Sequence, residues 1–97
     1  MTHYTAIVED EEGKAVGVWF PDLPGCISAG DTLDEAILNT AAALELWAEA
    51  MIESGQKIPP PRSLTDLKAD SEIAQALATF LVALILYPQG LRRHAAE

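Results

Sequence analysis

The stretch from residue 16 to residue 36 constrains this chain more than any other, because it places four structural signals close together. Apolar residues alternate from Val16 to Phe20, which predicts a strand. Pro24 and Gly25 form a turn pair, and Cys26–Ala29 can make a second strand. A strand, a shaped turn, a second strand and a helix start define a scaffold, and they contain no nucleophile with a base beside it.

The helix start is a capping box. Thr32 can accept a hydrogen bond from the Glu35 amide, and the Glu35 side chain can reach back to the Thr32 amide. The helix that follows should end near Ser54, with Gly55 in the left-handed conformation. Its predicted buried stripe has residues spaced by threes and fours: Leu33, Ile37, Thr40, Leu44, Trp47 and Met51.

The amino-terminal residues predict a hairpin. His3–Val8 is typical of a first strand, and the return strand runs from Lys14 to Phe20. Gly13 is the expected residue of positive φ in the polar turn between them. A second capping box at Ser63 predicts a short helix, and a further helical turn can begin at Asp70 or Ser71.

Several of these residues together resemble the signature of the HicB-like antitoxin family, and the resemblance extends over roughly residues 3 to 87. Upstream it includes Tyr4 to Glu9, and downstream the long helix, the Ile58-Pro59 region and the last apolar segment. The residues that carry it are Phe20-Pro21-Asp22-Leu23-Pro24-Gly25-Cys26, then Ser28, Gly30-Asp31-Thr32 and Glu35-Ala36.

The resemblance implies a fold and a function. The expected fold is α+β with β-β-β-α-β order: a three-stranded antiparallel sheet, one long helix and a late oligomerising strand, described in the family as a partial RNase H-like fold. The expected function is that of a type II antitoxin, which binds a small basic, mRNA-cleaving toxin of the HicA type and covers its active surface.

The late apolar segment from Phe80 to Tyr87 has apolar residues on both faces if it is extended. A helix from Ser71 through Leu86 also fits the periodicity, but the β-branched and aromatic content and Pro88 favour a strand. We predict that it completes the sheet or pairs between subunits of a dimer or tetramer. The predicted interface residues are Phe80, Val82, Leu84 and Leu86.

Composition limits the partners. The 97 residues suit one domain, and 49% of them are hydrophobic, which predicts that some apolar surface is buried between subunits. A net charge of −9 argues against general nucleic-acid binding and favours a basic protein partner. One cysteine, no signal-peptide pattern and no membrane-length apolar run predict a cytoplasmic protein.

Candidate partner contacts lie in the acidic first third of the chain. Most of these carboxylates can be explained without a binding function, because some form a solvated turn and others complement the dipole of the helix. Asp22 can either cap local amides or face a partner, and Trp19 can lie in the core or at an interface. The predicted partner-binding residues are Glu9, Asp10, Glu11, Glu12, Trp19 and Asp22.

The sequence predicts no catalytic residue, no metal site and no cofactor. Neither His3 nor His94 has an evident route to Cys26, so a buried, inert cysteine is expected. Two other functions stay open, an oligomeric scaffold without a toxin and a metal-dependent nuclease on an RNase H-like fold. We predict a domain over residues 1–88, and a frayed basic tail over 89–97 that is too short for a DNA-binding segment.

Overall fold

The computed structural model describes residues 2–88, and the predicted tail at 89–97 lies outside this range. Four strands form one antiparallel sheet in the order β3-β2-β1-β4. One long helix, α1, packs on the sheet, and two short helices precede the last strand. The elements are β1 His3–Glu9, β2 Val16–Trp19, β3 Ile27–Gly30, α1 Leu33–Glu53, α2 Leu64–Ala69, α3 Ser71–Thr79 and β4 Leu81–Leu86.

The α+β class and the predicted order of strands and long helix are therefore confirmed, but the sheet has four strands within one chain. The late strand pairs antiparallel with β1, from His3 opposite Leu86 to Val8 opposite Leu81. Of the two arrangements predicted for this segment, the chain itself adopts the one that completes the sheet. Phe80 lies outside the strand and caps α3. The partial RNase H-like description stays a prediction.

The capping residues and Gly55 correctly predicted where the helices begin and end. The Thr32 side chain accepts a hydrogen bond from the Glu35 amide at 3.1 Å, as the capping box predicts. The reciprocal bond differs, because Glu35 Oε1 accepts from the Asp31 amide at 3.3 Å rather than from Thr32. Gly55 ends the helix with φ +77, and Ser63 caps α2.

The buried face of α1 lies where the apolar spacing predicts it, since Thr40 and Leu44 are fully buried and Ile37 and Trp47 pack partly buried against the core. The residues that are buried are Ala36, Thr40, Leu44 and Ala48, whereas Leu33 is exposed at the helix start. Alanines face the sheet because they let the helix approach β3 closely. Thr40 tolerates burial because its hydroxyl donates to the Ala36 carbonyl at 2.6 Å.

The core lies between α1 and one face of the sheet. From the strands, alternate residues such as Ala6, Val8, Val18 and Ile85 pack with the buried α1 residues. The opposite face carries a row of paired positions across all four strands, made by Ile27, Trp19, Ile7 and Val82. The two ends of this row are exposed, Ile27 at 70% and Val82 at 41%.

Candidate partner-binding surfaces

The loop between β2 and β3 is a compact, internally bonded turn. The Leu23 amide donates to the Phe20 carbonyl, and the Cys26 amide donates to the Leu23 carbonyl. Leu23 is fully buried, and Gly25 adopts a φ of +86 that favours glycine. The Trp47 indole donates to the Pro24 carbonyl at 3.2 Å, so α1 holds the turn from the other side.

Asp22 in this turn is engaged within the chain. Its carboxylate accepts from the Arg62 backbone amide at 2.8 Å and from Arg62 Nε at 2.6 Å. The Asp22 side chain is only 7% exposed, so little of it is left for a partner. The prediction that Asp22 caps amides is close to what the structure shows, although the amide belongs to a residue 40 positions away.

Glu9 and Trp19 form a cross-strand pair on the sheet face opposite α1. The Trp19 indole donates to Glu9 Oε2 at 2.7 Å, and both residues are half-buried. This bond gives the indole N–H its hydrogen-bond acceptor and fixes the ring on the sheet. Both residues belong to the predicted partner surface, and their exposed parts face the same side as Ile27.

The acidic turn Asp10–Glu12 is exposed between β1 and β2. Gly13 has φ +80 as predicted, and Lys14 Nζ lies 3.7 Å from Glu11 Oε2 on the surface. Val16, just after the turn, pairs with Gly30, which touches the first turn of α1. The acidic turn and the acidic start of α1 therefore lie at the same end of the sheet.

The last strand, β4, is an edge of the sheet with an exposed apolar side. Leu84 is 59% exposed, and Val82 and Leu86 are each 41% exposed. Beside Val82, a groove of about 420 Å³ runs between β4 and the helices α2 and α3, lined mainly by Leu64, Leu77 and alanines. The predicted interface residues on β4 are thus brought together on one accessible surface, while Phe80 lies apart at the end of α3.

The side of α1 that faces away from the sheet carries two leucines that the sequence interpretation missed. Leu38 is 73% exposed and Leu46 is 68% exposed. A sequence signal for them exists, because Leu38, Ala42 and Leu46 are spaced by four and share one helix face. The predicted buried stripe does not include these leucines, because it lies on the other side of the helix.

Within residues 2–88, no group of three or more His, Cys, Asp or Glu side chains is placed to hold a metal ion. No helix in this part of the chain is long and apolar enough to cross a membrane. What the described surface does offer is apolar and acidic contact area.

The sequence profile of the HicB-like antitoxin of bacterial toxin–antitoxin systems matches residues 4–87. This chain belongs to the HicB-like antitoxin family. The match covers the whole described sheet and its helices apart from His3, the first residue of β1.

Curated relatives of this HicB-like chain match about three fifths of it. A 14.9 kDa protein of Haemophilus phage HP1 is 42% identical over 59 residues, which are 61% of this chain and 43% of the phage protein. A UPF0150 protein of Synechocystis is 40% identical over 57 residues, which are 59% of this chain and 72% of that protein. The chain thus spans less than half of the phage relative's length.

Solved structures of HicB antitoxins share the fold. The antitoxin HicB of Burkholderia pseudomallei superposes with a TM-score of 0.76 at 30% identity, over 94% of this chain and 67% of that chain. Its amino-terminal domain gives a TM-score of 0.72 at 31% identity, over 90% of this chain and 99% of that domain. A chain of the HicA3–HicB3 toxin–antitoxin complex, at 21% identity, has the same fold with a TM-score of 0.69 and covers 88% of this chain and 96% of its own.

The single cysteine of this HicB-like chain should react slowly with thiol reagents. Cys26 is 2% exposed, and burial raises the pKa of its thiol to about 11. At pH 8 the thiolate fraction is then about one in a thousand, whereas a free cysteine is about one quarter thiolate. Maleimide labelling of the native protein should be at least about 100-fold slower than labelling in denaturant.

The raised pKa also sets a pH dependence of stability. The folded state binds the Cys26 proton more tightly than the unfolded state, so this stabilisation is complete below about pH 9 and is lost as the pH rises towards about 11. Cys26→Ala should remove this part of the decline in the free energy of unfolding when chemical denaturation is measured at a series of pH values. Rapid labelling of the native protein would contradict the burial of the thiol.

Proposed function

We propose that this chain is an antitoxin that neutralises a small basic, mRNA-cleaving toxin of the HicA type by binding it in the cytoplasm. The observation that carries the proposal is the family profile over residues 4–87, in a chain whose fold superposes on HicB antitoxins. The HicA3–HicB3 complex supports it, since a chain of that assembly has the same fold. A net charge of −9 suits a basic, RNA-binding target.

The proposal predicts that a short basic protein is encoded beside this chain, and that protein supplies the test. Co-expression of the two proteins should restore growth that the basic protein alone arrests, and the purified pair should form a complex without RNA cleavage. Growth arrest that persists despite complex formation would exclude neutralisation. If no basic neighbour binds, the chain is better described as an oligomeric scaffold; if the chain itself cleaves RNA with magnesium, the nuclease alternative is favoured.

We propose that Asp10, Glu11 and Glu12 steer the toxin into place, with Glu9 and Trp19 beside them as contacts. The turn is exposed, and rim charges act mainly on the rate of association. Replacing Asp10, Glu11 and Glu12 together with serine should slow association about 3- to 10-fold at low salt and leave dissociation nearly unchanged. Surface-based binding kinetics at two ionic strengths measure both rates.

A matched control removes charge from another part of the surface. Asp66→Ser with Glu72→Ser, on α2 and α3, should change the association rate less than the acidic turn does, because these residues belong to other elements. Association by the unmodified chain that is indifferent to salt would contradict steering.

We also propose that the antitoxin is a homodimer or larger assembly that forms through β4. An edge strand presents unpaired backbone groups, and here it presents Leu84 and its neighbours as well. The other edge, β3, is shorter and contains serine, alanine and glycine. The two edges differ enough that β4 is the better site for a second copy.

A further inference from the structure

The outer side of α1 combines exposed leucines with carboxylates. On a helix, positions 38, 42 and 46 lie one above another, and positions 45 and 49 fall on the same side. Leu38 and Leu46 are about 70% exposed, more than any leucine of β4. Two large apolar side chains held this far from the core contribute little to folding, and such exposed apolar surface is typical of a binding site.

The charge of this helix indicates what kind of surface it fits. Between Leu33 and Glu53 the chain has no lysine or arginine. Its five acidic residues are mostly exposed: Asp34, Glu35, Glu45, Glu49 and Glu53. A second copy presenting the same face would bring like charges together, which is unfavourable. A partner with an apolar patch surrounded by lysine and arginine would match both features.

The outer face of α1 and the groove beside β4 differ in charge. The groove beside β4 has Lys68 as the one charged residue in its described lining. The described lining of that groove contains no acidic residue, whereas the α1 surface carries several carboxylates. The acidic turn Asp10–Glu12 also lies at the end of the sheet where α1 begins, so the α1 carboxylates extend the same negative field.

We propose that the outer face of α1, with Leu38, Ala42 and Leu46 as apolar contacts and Glu45 and Glu49 beside them, is the anchor surface for the basic toxin. This inference rests on the proposed function and names the surface that holds the toxin in place, whereas Glu9 and Trp19, on the opposite face of the sheet, are peripheral contacts beside the steering turn. The leucines supply the buried contact that sets dissociation, and the carboxylates supply orientation and association.

The test compares variants of this chain in binding to the small basic protein that the proposed function predicts beside it, purified as a variant without ribonuclease activity. Leu38→Gln with Leu46→Gln keeps good helix formers on an exposed face, so the fold should be retained. We expect the dissociation constant to rise about 30-fold or more, mainly through faster dissociation. Glu45→Lys should slow association, and this loss should shrink at higher salt, unlike the leucine effect.

The matched control is Leu64→Gln, which removes an exposed apolar side chain from α2, a helix to which no toxin contact is assigned. It should change the dissociation constant less than about threefold. Toxin binding that survives the double leucine change overturns this inference alone. Failure of the unmodified chain to bind the basic protein overturns the proposed function and the inference with it. Loss of self-association in the double variant, measured by sedimentation, would assign the face to a second copy and also overturn it.

Discussion

Replacing Gly30 with alanine should lower the midpoint of thermal unfolding by on the order of 15 °C, a loss of at least about 3 kcal/mol. A Cβ at Gly30 would lie 2.5 Å from the Ala36 amide nitrogen and 2.9 Å from the Ala36 Cα. Both are backbone atoms, so no side-chain rotation relieves the contact. Either β3 or the first turn of α1 must move, and the bond from Asn39 to the Ala29 carbonyl beside it would weaken.

Gly17 provides the matched control, because it lies in β2, and a Cβ there would meet no atom within 4 Å. Gly17→Ala should change stability by less than about 0.5 kcal/mol. Differential scanning calorimetry of the two variants measures the contrast. Equal midpoints for both variants would show that the helix does not approach β3 as closely as the structure has it.

The parts of the fold that the sequence predicted are those fixed by neighbouring residues. The hairpin turn at Gly13, the capping of α1 by Thr32 and the end of the helix at Gly55 each depend on a few adjacent positions. Such signals are readable because the turn or cap is determined by the backbone freedom and hydrogen-bonding groups of those residues themselves.

The parts that the sequence did not predict depend on residues distant in the chain. Asp22 meets Arg62 across 40 positions, and no local pattern indicates that pairing. The burial of Ala36 and Ala48 was not predicted, because a small side chain gives only a weak apolar signal and the contact with the sheet decides whether it is buried. Leu38 and Leu46 lie on the other side of the helix, and the predicted stripe did not include them.

The late strand shows what an apolar pattern can and cannot predict about strand pairing. An apolar run on both faces correctly predicted a strand, and Ile85 is indeed buried against the core. The sequence could not decide between pairing within the chain and pairing between chains, since both satisfy the same apolar residues. In the structure one side of β4 pairs with β1, and its other side remains an edge.

Leu84→Asp should convert the proposed dimer into a folded monomer. Leu84 is 59% exposed in the single chain, so aspartate there is tolerated by the monomer. In a dry interface the same carboxylate would be buried without a partner, at a cost of about 3–5 kcal/mol. The dimer dissociation constant should therefore rise more than about 100-fold, which sedimentation velocity at micromolar concentration can measure.

Ile27→Asp is the control for this change, because Ile27 is 70% exposed on the opposite edge strand, β3. It adds the same charge to the chain, so any effect of net charge on association appears in both variants. If β4 is the interface, the Ile27 variant keeps the dimer while the Leu84 variant loses it. A monomeric unmodified chain at micromolar concentration would rule out the assembly, and a dimer lost in the Ile27 variant alone would place it on β3. Far-UV circular dichroism of both variants separates dissociation from unfolding, because a dissociated chain keeps the helical signal of α1.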